Sequence, residues 1–306
     1  MKFKFFFAAS GLGVMLMSCA SLTKSQIGAV NQFSQTSSNF SAYPGKIMTE
    51  LAEIRLSRSV YAGSTFSDAR LNLENLDGIH EQYTHDVEVS QKLDVTFKII
   101  DKYAQSLLLL SSDKFETDIE EQAKNFGVGL DSLITLNNSI QGARAIPAGI
   151  GEAAGKLIAL GGKQYVRSRQ SKEIKKYVAA ADTLIAIMTM NLLEHLGSKH
   201  LEELIANEEK GLKADFKTFL GHSKSTPEHG LAYVRLQLRL KNVRALQKQT
   251  MQATKDLRLA HKKLKQEIEK KKKIKEAVKE IQTLYEEVKE IKETIRSIET
   301  NKTAGK

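Results

Sequence analysis

Apolar residues in this chain recur mostly at steps of three and four. The clearest run, Val89, Leu93, Phe97, Ile100, Tyr103 and Leu107, forms one stripe of an amphipathic helix. Ile47, Leu51 and Ile54, then Leu71, Leu76 and Ile79, fall mostly at helical spacing upstream. The stretch SSDK at 111–114 reads as a break with a new N-cap, because Ser and Asp side chains accept from the free N–H groups of a helix start. QGARAIP at 141–147 is the next break, with Pro147 compatible with a first helical turn. LIAIMTMNLLEHL, 184–196, reads as the buried part of a further long helix or helix pair. Alternation of apolar and polar residues stays confined to short runs, and no Asn-Gly or Asp-Gly turn joins two such runs. The expected fold is all-α: an elongated bundle of five or six helices.

The C-terminal segment adds a heptad. Ile274, Ile281, Val288 and Ile295 lie seven apart, with Ala277, Leu284, Ile291 and Ile298 three residues after each. Upstream, Val243, Thr250, Leu257 and Leu264 form a second a series, with Leu246, Ala253 and Ala260 at d. The two series are out of phase by three residues, and Lys270–Lys273 bridge the mismatch. Neither glycine nor proline occurs between Gly230 and Gly305. The expectation is one helix over 231–300, about 105 Å long at about 1.5 Å per residue. It packs either on the preceding helices or on a second copy, as a homodimer through 274–298.

Ile146–Gly162, IPAGIGEAAGKLIALGG, is the glycine-rich exception. Counting back from Gly155-Lys156, a phosphate loop would need glycine where Ile150 stands and a hydroxyl where Leu157 stands. The segment is too short, and too charged at Glu152 and Lys156, to span a bilayer readily. Gly149, Gly151, Gly155, Gly161 and Gly162 are expected to mark a close helix crossing, where packing offsets their cost in helix stability. The alternative is a membrane-inserting element over 145–162, a layout similar in outline to helical pore-forming proteins.

The first residues change the setting. Lys2 and Lys4 precede the apolar run Phe5–Met17, and the chain's single cysteine, Cys19, follows Leu16-Met17-Ser18. This resembles the lipobox of bacterial lipoproteins. The resemblance implies removal of 1–18 and acylation of Cys19, with several acyl chains holding the protein on a membrane. Ala20, rather than Asp, after the cysteine implies the outer membrane, facing the periplasm. With no second thiol, no disulfide forms. The expected organisation is a signal peptide (1–18), the acylated cysteine and a polar Ser/Thr/Asn/Gln-rich tether (19–42), a helical bundle (43–230), the long helix (231–300) and a disordered tail (301–306).

Charge then singles out one surface. The chain carries +10. Residues 235–275 hold fifteen Lys or Arg against three acids, whereas 276–306 are close to balanced. Lys262, Lys263, Lys265, Lys270, Lys271, Lys272, Lys273 and Lys275 are the candidate contacts for an acidic envelope partner, an anionic lipid or a polysaccharide. The same stretch has no aromatic residue to stack bases, and an exported protein does not meet nucleic acid. His80 and His85, like His195 and His200, are five apart, the wrong spacing for two ligands on one helix face. Neither a metal site nor a cofactor is expected, and with no catalytic constellation the expectation is a non-catalytic scaffold or interaction module.

Overall fold

A computed structural model describes residues 21–43, 45–63, 69–112, 119–139, 144–147, 152, 167–222, 226–270 and 274–303. Cys19, the five glycines of the 149–162 segment and Lys271–Lys273 lie outside the described residues. Eight α-helices occur among those described: α1 (Lys24–Ser41), α2 (Gly45–Gly63), α3 (Ala69–Ser111), α4 (Ile119–Ser139), α5 (Arg167–Leu196), α6 (Lys199–His222), α7 (Pro227–Ile268) and α8 (Lys275–Thr303). The described residues contain no strand. The protein is an all-α helical bundle.

Two long helices set its length: α3 and α7 are each about 64 Å at about 1.5 Å per residue. Shorter helices run antiparallel to them in end-to-end pairs. Along α3, Ser38 of α1 donates to Asp101 (2.6 Å), and Arg55 of α2 reaches Asp86 (2.7 Å), so α1 and α2 climb as α3 descends. Along α7, Asp182 of α5 meets Lys265, Gln247 donates to the Leu196 carbonyl, and Glu209 of α6 meets Arg244. The kink between α5 and α6 falls at Gly197-Ser198, where the Leu201 N–H donates to Ser198 Oγ (3.2 Å) and restarts the helix. Within 170–222 lies a window apolar enough to cross a membrane, but half of it is buried inside the bundle.

The polar tether expected over 19–42 is instead a core helix from residue 24. Thr23 caps α1 in a box with Gln26, and Ala29, Val30, Phe33 and Phe40 are buried. Its polar composition is compatible with burial in part because Gln26 and Ser34, among its buried polar side chains, are paired. Ser34 donates to the Val30 carbonyl (2.8 Å), and Gln26 Nε2 donates to the carbonyls of Glu267 (3.2 Å) and Lys270 (3.0 Å).

The single helix expected over 231–300 is two. α7 ends at Ile268, and α8 starts at Lys275 and runs back along it: Asn242 donates to Ser297 and Thr294 donates to Gln249. The phase break between the heptads is therefore the turn of an antiparallel hairpin. Every a and d residue of both series is buried within one chain, so of the two packings open to the heptads the structure shows the one on the chain's own helices. Glu267 accepts from the N–H groups of Glu276 (3.4 Å) and Ala277 (3.0 Å), satisfying the start of α8.

Candidate functional site

Three groups of chemistry-bearing side chains are assembled by this fold. The deepest lies where α1, α3, α5 and α7 meet. Tyr103 and His261 are buried, with the Tyr103 hydroxyl 2.8 Å from His261 Nε2 and Asp182 Oδ1 3.5 Å from His261 Nδ1. Lys265 holds the other Asp182 oxygen at 2.6 Å. Phe33 and Tyr103 pack on the imidazole, their ring centroids 5.7 and 5.6 Å from it. A neutral imidazole with its proton on Nδ1 satisfies this geometry, accepting from the tyrosine and facing the carboxylate. Burial pushes the His261 pKa down, against the pull of Asp182. Burial, with Tyr177 and Asp182 nearby, pushes the Tyr103 hydroxyl well up. The hydrogen bond from His261, helped by Lys265, holds Asp182 well below the usual carboxylate range. A Tyr–His–Asp set could in principle carry acid–base chemistry, but the tyrosine and histidine have no open face for a substrate. Its observed work is to tie three helices together.

The second group sits higher, on α2. Glu50, buried, lies between Arg239 of α7 and Lys302 of α8 (2.6 Å to Lys302), and Glu53 meets the same two cations at 2.9 and 2.6 Å. Burial disfavours the Lys302 charge, but hydrogen bonds to Glu50 and Glu53 outweigh it and raise the ammonium pKa. One turn on, Arg55 contacts Asp86 and Glu208 while Arg58 contacts Glu208 and Asp215. The Arg58 guanidinium crosses α6 at Gly211, where an added Cβ would lie 1.6 Å from Nη1. These pairs fix the register of α2 against α3, α6, α7 and α8.

The third group is the lysine set. Lys263 is 2.5 Å from Glu276 and Lys265 is held by Asp182, so both brace the hairpin or the core. Lys262, Lys270 and Lys275 are exposed. They lie at the end of the bundle where α7 turns into α8, beside the start of α1. There the Leu22 N–H donates to Ser171 Oγ of α5 (2.7 Å), and Leu22 is itself buried.

Among the remaining candidates, His195 is half-buried and His200 exposed on the two sides of the α5–α6 kink. Among the described residues no group of three or more His, Cys, Asp or Glu is placed to hold a metal ion. Of the 145–162 segment, Ile146 is buried and clamped by Asn138 of α4, which accepts from its N–H (2.8 Å) and donates to its carbonyl (2.9 Å). The helix-crossing and membrane-inserting readings of the glycines fall on residues outside those described. Sequence reasoning missed His261, whose partner Tyr103 lies 158 residues away, and missed the Glu50–Arg239 cluster; no local motif marks either.

The fold and its side-chain clusters together define a class, an all-α bundle held by buried polar ties. The chain matches no protein-family model, no curated protein and no solved structure.

Proposed function

We propose that the protein is a lipid-anchored, non-catalytic helical scaffold of the bacterial cell envelope, held by acyl chains at Cys19 in the outer membrane and facing the periplasm. The observation that carries the reading is the run Leu16-Met17-Ser18-Cys19 after a basic start and an apolar stretch, with the chain's single cysteine at the processing position. Support for a scaffold comes from the use of its reactive side chains. His261, Tyr103, Asp182, Glu50 and Arg239 are engaged in tying helices together. A bundle about 60 Å long suits a spacer or platform.

Expression in a bacterium fed labelled palmitate tests the anchor. The wild-type chain incorporates label and sediments with membranes, and Cys19→Ser loses the label and its membrane residence. Label persisting in Cys19→Ser, or none in the wild type, would end this reading.

A further inference from the structure

Read linearly, the lysines of 262–275 sit in the last fifth of the chain, far from the N-terminal anchor. The fold brings the two together. Gln26, in the first turn of α1, donates both amide hydrogens to carbonyls of the α7–α8 turn, at Glu267 and Lys270. Leu22, three residues past Cys19, is pinned to Ser171 in the first turns of α5. Leu22 and the lysine turn therefore share one end of the bundle, and only three residues of chain, not a tether of twenty, lead from Cys19 to Leu22.

That end is basic in its described side chains. Lys24 opens α1, Lys172 follows Ser171 on α5, Lys262 and Lys270 flank the end of α7, and Lys275 opens α8; all five are exposed. The acids among them are largely occupied. Glu276 is bound to Lys263, Glu173 to Lys176, and Glu267 to backbone N–H groups of α8, leaving Glu269 exposed among the lysines. Helices α1, α5 and α8 begin here and α3 and α7 end here, so the helix dipoles largely offset one another and the positive charge of this end is that of its lysines.

We infer that this end is a membrane-docking face: Lys24, Lys172, Lys262, Lys270 and Lys275 bind the anionic headgroups of the membrane that holds the acyl chains. The inference rests on the anchor reading for its biological setting. The lysines are then a second membrane signal beside the acyl chains, which presses the bundle's end onto the surface and sets its orientation. A short connection makes this effective, because the anchored chain cannot carry the lysines away from the bilayer.

The test uses the chain from residue 19 with Cys19→Ala, which keeps every described residue and carries no acyl group. Binding is measured by co-sedimentation with phosphatidylcholine vesicles and with equimolar phosphatidylcholine–phosphatidylglycerol vesicles, at low and high salt. The expected result is binding to the anionic vesicles alone, reversed by salt. Lys262→Gln/Lys270→Gln/Lys275→Gln should weaken it by about a hundredfold, roughly fivefold for each lysine. Lys210→Gln/Lys213→Gln/Lys217→Gln, which removes the same charge from exposed positions on α6, should leave it unchanged. All six positions are exposed, so thermal melts by circular dichroism should match the wild type. Equal binding to neutral vesicles, a turn triple that binds like the wild type, or equal losses in both triples would each overturn the proposal. Vesicle binding that survives the turn triple while capture of an acidic envelope protein is lost would also overturn it, in favour of a protein partner. Because the chain is unacylated, failure here leaves the palmitate result at Cys19 standing, and the reverse also holds.

Discussion

At 1% exposure, His261 has lost its contact with water and kept two polar partners, Tyr103 and Asp182. That balance makes stability depend on pH in a predictable direction. Burial lowers the folded-state pKa below the ordinary 6.5, so between the two values the unfolded chain binds a proton that the native chain refuses. Stability should therefore be full above about pH 7 and fall as pH drops through about 6.5. Asp182, whose pKa is depressed by His261 and Lys265, contributes stability that is lost only in much stronger acid. Urea midpoints measured from pH 7.5 to 5 should fall in the wild type and stay flatter in His261→Leu over the same window; parallel slopes would show that another group sets the dependence. Tyr103→Phe keeps the ring but strands the imidazole Nε2 without a donor, and should cost about 1–3 kcal/mol in urea denaturation at pH 7.5.

At the scale of the element, α1 and the α7–α8 hairpin show what a pattern of residue types carries and what it does not. The heptads were legible because burial is periodic: Ile274, Ile281, Leu284 and Ile291 announce one face whatever the partner. The partner's direction was not legible. Between α7 and α8 the sequence has lysines where glycine or proline would signal a reversal, and the carbonyls of Glu267 and Lys270 are met by Gln26, a residue some 240 positions away. α1 was hidden for a related reason. A segment of Ser, Thr, Asn and Gln reads as solvated, yet here small hydroxyls fold onto their own helix carbonyls and leave Phe33 and Phe40 to face the core. Phe33 lies 5.7 Å from the His261 ring and is fully buried. Phe33→Ala should accordingly cost about 3–5 kcal/mol in equilibrium unfolding, whereas a tether residue would cost nothing measurable. A change below about 0.5 kcal/mol would return this segment to the tether of the sequence reading.

At the scale of the whole molecule, the bundle has two unlike ends. One gathers the starts of α1, α5 and α8 and the ends of α3 and α7 with the exposed lysines. The other gathers the end of α6 and the start of α7 around an aromatic cluster: Tyr61 meets Phe216 and Phe219 edge-on, and Phe216 stacks on Tyr233 with centroids 4.4 Å apart. Leu220, Leu231, Val234 and Leu238 are exposed near that aromatic end. With the proposed acyl chains at Cys19 and the proposed docking of the lysine end, the long axis would stand away from the bilayer. The aromatic end then sits about 60 Å out, given the lengths of α3 and α7 at about 1.5 Å per residue. This orientation can be measured directly, since Cys19 is the chain's single cysteine and, once acylated, leaves no competing thiol. A fluorophore on Lys270→Cys should be quenched by brominated lipid in membranes bearing the acylated protein. The same label on Lys217→Cys, exposed near the end of α6, should be untouched. Equal quenching at both positions would mean that the bundle lies flat, and its outer faces rather than its end would then be the surface in contact with lipid.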